Sequence, residues 1–202
     1  SIVASWWDYG YWISTVADRT TLTDNATISD WQIEKVAQIF MSTPDEAWNL
    51  LTEWDADYVV VFVAGQRIDG NYGDNSIYVL NGGGDESKIS WFMRIADVDL
   101  SKYLESDGTT ATSYFWNETL LGQMIPYTPI LYYNEASQQQ SKIYQNGFVP
   151  ISVLEINYAD EGNYPLKLVH TSPSFTDKNI DRFGVVLVYE VNKNYIPTEP
   201  TT

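Results

Sequence analysis

Tyr58-Val59-Val60-Val61-Phe62-Val63 sets six β-branched or aromatic residues in a row and closes at Ala64-Gly65. A continuous apolar run of this length, without alternation, predicts a strand buried on both faces and central in its sheet. Working upstream, Thr43-Pro44-Asp45-Glu46 combines a cap, a first-position proline and two first-turn acids, followed by Ala47, Leu50, Leu51 and Trp54 at helical spacing. A second helix is predicted before it over Ile28–Phe40, where Ile28, Trp31, Val36, Ile39 and Phe40 form one stripe, with Thr27 or Ser29 as N-cap. Downstream, residues 65–84 are rich in Gly, Asn and Asp and read as a mobile loop ending in Asn81-Gly82-Gly83-Gly84. Helical stretches follow over 85–96 and 113–124, with an apolar segment of no clear period at Tyr127–Tyr133. Strands are expected at Val149–Tyr158, Leu166–Thr171 and Gly184–Val191, then a frayed tail from Ile196. The fold class is therefore α/β (mixed α+β), a helix-rich N-terminal core around a small sheet with additional C-terminal strands. The expected organisation is one domain over 1–202, helix-rich to 125 and strand-rich from 126.

The 202 residues suffice for one sizeable core. Their hydrophobic fraction of 44% and aromatic fraction of 15% exclude a disordered chain. Eight Trp and fifteen Tyr exceed what such a core needs and point to surface recognition. Eleven basic against 27 acidic residues give a net charge of −16, which repels nucleic acid and anionic membranes, so no nucleic-acid partner is expected. With no cysteine, disulfide frameworks, thiolate nucleophiles and Cys-based zinc sites all drop out. No apolar run approaches a membrane span, and the start at Ser1-Ile2-Val3-Ala4 reads as a cut from a longer chain.

The most informative stretch for function is Ser5-Trp6-Trp7-Asp8-Tyr9-Gly10. An indole N–H only donates and an ionised carboxylate only accepts, so Trp6, Trp7 and Asp8 together can satisfy both the lone pairs and the proton of one hydroxyl. The same residues are also compatible with a plainer role, two Trp anchoring a chain end and an Asp capping a helix.

Trp6-Trp7-Asp8-Tyr9-Gly10 resembles the signature pentapeptide of the oligosaccharyltransferase catalytic subunit, and specifically the soluble C-terminal domain of the archaeal type. The resemblance continues through Ala17-Asp18-Arg19-Thr20-Thr21-Leu22-Thr23-Asp24-Asn25, residues 31–40 and Asp57-Tyr58-Val59-Val60-Val61. It implies that Trp6, Trp7 and Asp8 form the pocket for the Ser/Thr hydroxyl of an Asn-X-Ser/Thr acceptor, with Tyr9 and Gly10 as structural members of the motif. A second family motif, Asp-x-x-Lys-x-x-x-Met/Ile, is similar to Asp85-Glu86-Ser87-Lys88-Ile89-Ser90-Trp91-Phe92 followed by Met93. Its spacing would place Asp85, Lys88 and Phe92 on one helix face. Phe92 stands where the family has Met or Ile, and Met is displaced to 93, so either side chain is a candidate for the threonine methyl. Without the pentapeptide, Asp85 and Lys88 would be an exposed intrahelical pair worth ~0.3 kcal/mol.

The resemblance further implies that no catalytic or metal-ligating residue lies in this fragment. A divalent metal (Mg or Mn) and the lipid-linked oligosaccharide would be held by an N-terminal transmembrane region of the same chain. The full-length protein would be a glycosyltransferase of the cell membrane, with this domain on the extracellular face and inactive by itself. The competing reading is a secreted carbohydrate-binding module, although Trp31, Trp48 and Trp54 fall in helical segments. Asn25-Ala26-Thr27 and Asn117-Glu118-Thr119 are sequons themselves, but thirteen Asn at the chain's Ser/Thr frequency give about two by chance. The single histidine, His170, has no partner for metal or nucleophilic chemistry and reads as structural. Asp45-Glu46 and Asp160-Glu161 fit a helix start and a turn rather than a glycosidase pair.

Overall fold

A computed structural model describes residues 1–26, 29–72, 75–80, 83–108, 110–129, 132–134, 139–141, 149–153, 158, 162–172 and 181–198. In chain order, β1 (Ile2–Ser5) leads through a 3-10 turn (Trp7–Tyr9) into α1 (Gly10–Thr15), then β2 (Thr20–Thr21), α2 (Asp30–Met41) and α3 (Pro44–Glu53). The hairpin β3 (Tyr58–Tyr72) and β4 (Asn75–Leu80) follows, then a 3-10 turn (Asp85–Ser87), α4 (Ile89–Ile95), α5 (Leu100–Tyr103), α6 (Ser113–Glu118) and α7 (Leu120–Met124). The rest is strand: β5 (Tyr127–Pro129), β6 (Tyr132–Asn134), β7 (Gln139–Ser141), β8 (Val149–Val153), β9 (Leu166–Thr171) and β10 (Arg182–Val191). This is a mixed α+β fold, as the sequence predicts.

β3 is the spine of an eight-stranded mixed sheet. Along one edge it pairs antiparallel with β10, from Tyr58↔Glu190 to Gln66↔Arg182. Along the other edge it has two partners in succession: β1, parallel over Tyr58–Val60, and β4, antiparallel from Gly65 onward. Between them, residues 61–64 of β3 pair with no strand on that edge among the described residues. β8 and β5 extend the sheet beyond β4, and β9 lies outside β10.

Val59, Val61 and Val63 are buried with Val185, Leu187 and Tyr189 of β10 in one core, against Phe40, Phe92 and other helical side chains. Tyr58, Val60 and Phe62, on the opposite face, are only half-buried. The expectation of a strand buried on both faces is thus corrected. Helices cover one face, and the apolar residues of the other find partial cover, as where Tyr9 packs edge-on to Phe62.

The predicted loop at 65–84 is in large part the β3–β4 hairpin. Backbone pairing carries Gly65–Tyr72 through a Gly- and Asn-rich sequence, and all four residues of Ile77–Leu80 are buried. The helix predicted over 85–96 begins instead as a 3-10 turn, with the α-helix starting at Ile89. The one predicted over 113–124 is broken at Thr119, whose hydroxyl donates to Phe115 O (2.6 Å) and accepts from Gly122 N–H (3.0 Å). α3 has the anticipated cap at Thr43, which the structure extends to a capping box with Glu46, whereas Ser29 precedes α2 without capping it through its side chain. Thr27 and Ile28 lie outside the described residues, as do Asp160 and Glu161. Residues 196–198 are tied down rather than frayed: Ile196 exchanges two hydrogen bonds with Asn163, and Thr198 donates to Asp45 (2.7 Å). Among the described residues no helix is long and apolar enough to cross a membrane.

Candidate functional site

The gap between β1 and β4 positions the site. β1 stops pairing at Ser5↔Val60, and the chain turns out of the sheet through Trp6-Trp7-Asp8-Tyr9. Trp6 drops into the core, its ring 4.2 Å from Phe92, which in turn packs at 5.1 Å on Phe40. Trp7 stays half-buried, 5.7 Å from Trp6 between ring centroids. The 3-10 turn closes with Tyr9 N–H donating to Trp6 O (3.1 Å). Gly10 follows because a Cβ there would meet Thr23 O at 2.2 Å and Asp24 Cα at 2.5 Å. Asn25 clips the turn from outside, donating to Asp8 O (3.1 Å) and accepting from Tyr11 N–H (3.0 Å).

Asp85 occupies the missing place in the ladder. Its Oδ2 accepts the Phe62 N–H (2.9 Å), which no strand among the described residues satisfies on that edge, and its Oδ1 accepts the Tyr9 hydroxyl (2.8 Å). Gly84 lets the turn approach this closely, since a Cβ there would lie 2.6 Å from Phe62 O and 2.2 Å from Glu86 Oε2. The 3-10 turn then presents Lys88, whose Nζ donates to Asp8 Oδ2 (3.1 Å), Tyr9 Oη (3.1 Å) and Asp85 Oδ1 (3.5 Å). The same ammonium lies 4.7 Å from the Tyr9 ring centroid and 5.8 Å from that of Trp6.

Burial sets the electrostatics. Asp85 has no exposed surface; desolvation raises its carboxyl pKa, while Lys88 and the Phe62 N–H act in the opposite direction. Tyr9 is held firmly in its neutral phenol form, first by desolvation and then by the Asp85 carboxylate. Glu86, buried beside them, is pushed up to about 8 by desolvation above all. Its Oε1 accepts from Gly84 N–H (3.0 Å) and its Oε2 has no hydrogen-bond partner among the described residues.

The arrangement leaves a defined set of unused groups. Neither the Trp6 nor the Trp7 indole N–H makes a hydrogen bond among the described residues, and Asp8, its side chain 38% exposed, has one oxygen engaged by Lys88 and the other without a protein donor. Two unused indole donors and a free carboxylate oxygen therefore stand on three consecutive residues, the carboxylate's charge balanced by an ammonium.

The structure brings Trp6, Trp7, Asp8, Tyr9, Asp85 and Lys88 together, with Phe92 beneath Trp6. Phe92 and Met93 are both fully buried in the core. Asp85 and Lys88 are not the exposed helical pair that their spacing by itself would describe, because Asp85 lies in the preceding turn and not on α4. Sequence reasoning missed Phe62, whose contribution is a backbone N–H, and Asn25, which lay within the matched run 17–25. His170 is exposed on β9, opposite Val188. Asp45 holds the C-terminal segment through Tyr195 and Thr198. Thr119 of the second sequon has its hydroxyl buried in helix capping. Among the described residues no three His, Asp or Glu side chains are grouped to hold a metal ion.

Residues 1–61 match the family model of the STT3/PglB/AglB core domain. The chain is 36% identical over 125 residues to the dolichyl-diphosphooligosaccharide–protein glycosyltransferase subunit stt-3 of Caenorhabditis elegans, covering 59% of this chain and 15% of that protein. It is 28% identical over 170 residues to the corresponding subunit STT3 of Saccharomyces cerevisiae, covering 80% of this chain and 22% of that protein. A solved structure of the C-terminal globular domain of an oligosaccharyltransferase from Archaeoglobus fulgidus is 17% identical, with a TM-score of 0.45 over 95% of this chain and 84% of the other. The chain thus spans less than a quarter of the length of either of these two curated relatives. The resemblance carried by residues 5–10, 17–25, 31–40 and 57–61 is borne out.

Proposed function

From the premise that its first 61 residues match the STT3/PglB/AglB core domain, we propose that this chain is the acceptor-recognition part of a membrane oligosaccharyltransferase. Its task is to hold the Ser or Thr of an Asn-X-Ser/Thr acceptor while residues outside this chain transfer the oligosaccharide from its lipid carrier. The observation that carries this reading is the pair of unpaired indole N–H groups beside Asp8, whose carboxylate Lys88 pins at 3.1 Å.

In this reading Asp8 accepts the proton of the sequon hydroxyl through the oxygen that Lys88 leaves open. The indole N–H groups of Trp6 and Trp7 donate to the hydroxyl oxygen. Lys88 balances the charge and fixes the carboxylate rotamer, and Asp85 and Tyr9 fix Lys88. A site built to pair with a hydroxyl leaves its own groups unsatisfied when Ala takes that place, which rejects the analogue by as much as ~10⁴-fold. The threonine methyl adds ~0.8 kcal/mol if fully buried, a several-fold preference over serine. Phe92, beneath Trp6, and Met93, buried in the same core, enter the proposal as the apolar backing of the site.

We assign the divalent metal and the lipid-linked oligosaccharide to an N-terminal transmembrane region of the full-length protein, outside the 202 residues, with this domain on the extracellular face and without transferase activity alone. A carbohydrate-binding module, the alternative, finds less support, since the exposed Trp12, Trp31 and Trp91 all lie on helices. The test is transfer to a sequon peptide by the full-length enzyme carrying Trp7→Ala or Asp8→Ala. Activity should be abolished in both, and near-normal transfer by both variants removes the assignment.

A further inference from the structure

We propose that the outer flank of α4, formed by Trp91 and Arg94, holds the acceptor segment that follows the sequon hydroxyl and so selects among flanking sequences. This inference rests on the reading of the Asp8–Lys88 site given above and extends it along the same helix.

Lys88, Trp91 and Arg94 recur at intervals of three, which places them successively along one flank. Ile89, Phe92 and Met93 supply the buried side of α4, so the core does not need Trp91, and its ring is 58% exposed. The Arg94 guanidinium lies 6.0 Å from the centroid of that ring. Among the described residues Arg94 pairs with no carboxylate, in a chain with 27 acidic and 11 basic residues. The flank ends in a recess of about 610 Å³ between Ser90, Arg94, Leu100 and Thr112. An aromatic plane, a cation without a carboxylate partner among the described residues and a recess therefore follow Lys88 along α4.

Chain direction and length select the occupant. The acceptor Asn precedes the hydroxyl residue by two positions and must point away, toward transferring groups that this chain does not supply. The segment after the hydroxyl is what remains against the domain. A helix rises ~1.5 Å per residue, which puts Trp91 about 4.5 Å and Arg94 about 9 Å beyond Lys88 along the axis. An extended peptide advances ~3.3 Å per residue. The first or second residue past the hydroxyl then reaches the indole, and the third reaches the guanidinium. Planar or apolar side chains are favoured at the former and carboxylates at the latter.

The experiment uses the full-length enzyme and peptides that share one Asn-X-Thr core. The second position after Thr is varied among Ala and Tyr, the third among Ala, Asp and Lys. The wild-type enzyme should favour Tyr over Ala and Asp over Lys by about two- to fivefold in kcat/KM, the scale of exposed aromatic and ionic contacts. Trp91→Ala should remove the first preference and Arg94→Glu reverse the second, while both variants keep rejecting Ala in place of Thr. Flanking preferences unchanged in both variants, or a shift in the KM of the oligosaccharide donor instead, overturn the inference. If Asp8→Ala abolishes transfer while flanking preferences stay unchanged in both flank variants, this inference alone fails; full transfer by Asp8→Ala removes the reading beneath it.

Discussion

Asp85 is a carboxylate without an exposed atom, placed where a strand is missing. Its two oxygens satisfy a backbone donor of β3 and the hydroxyl of Tyr9, and its charge meets Lys88 at 3.5 Å. Asp85→Ala would leave the Phe62 N–H and the Tyr9 hydroxyl proton without their acceptor, and Lys88 with the Tyr9 oxygen and the half-exposed Asp8. Breaking a buried pair from one side costs roughly 3–5 kcal/mol. Urea unfolding of the 202-residue chain should show that loss, and the full-length enzyme should lose acceptor affinity with it. Glu86 gives a pH signature of opposite sense to the usual carboxylate. Burial raises its folded value to about 8 from an ordinary 4.5, so the folded chain binds the proton more tightly than the unfolded one. Its stabilising contribution is full below pH 4.5 and is lost as pH rises through 8. Glu86→Gln should flatten the decline in urea midpoint across that window and raise the midpoint at pH 8. An equally steep decline in the variant would show that another group titrates there.

At the scale of elements, local chemistry was legible wherever it was strong. Thr43-Pro44-Asp45-Glu46 specifies the start of α3, and the predicted cap forms as part of a capping box: Thr43 N–H donates to Glu46 Oε2 at 3.2 Å, with the Glu46 N–H returned to Thr43 Oγ1. Thr43→Ala should therefore cost about 1 kcal/mol in thermal or urea unfolding, with little effect on the site. Legibility failed in the β3–β4 hairpin. Gly65 and Asn71 carry no strand propensity, and their strand conformation comes from ladder partners on β4 that lie farther along the chain. Ile77-Tyr78-Val79-Leu80 was the available signal, a four-residue apolar run inside a polar stretch. The break at Thr119 was hidden for a similar reason. A threonine hydroxyl that turns the chain and one on a helix surface look alike until the buried hydrogen bonds to Phe115 and Gly122 are seen.

The whole molecule is organised by β3, whose core face is completed by a strand more than a hundred residues away. β10 pairs with it over nine positions, and Val185, Leu187 and Tyr189 join Val59, Val61 and Val63 in one core. A chain truncated after Ser172 should therefore lose cooperative unfolding, as followed by circular dichroism. A sharp transition in that truncation would show that the part before β10 is self-sufficient. The site depends on the same assembly. Asp8 and Lys88 are 80 residues apart and meet at 3.1 Å because β1 and the turn after β4 flank one gap on the β3 edge.

By itself the sequence determined the mixed helix-and-strand character, the central strand at 58–63, the capped α3, and the pairing of Trp6-Trp7-Asp8 with a second motif at 85–88. These are written in side-chain chemistry that acts within a few residues or in a motif short enough to recognise. Only the tertiary structure decided that Asp85 is a buried ladder partner rather than an exposed helical acid, that Phe62 contributes its backbone, and that Phe92 lies beneath Trp6. Those outcomes depend on which edge of β3 is left unpaired. An unpaired edge is created by strands distant in the chain, and no local pattern of residues records it.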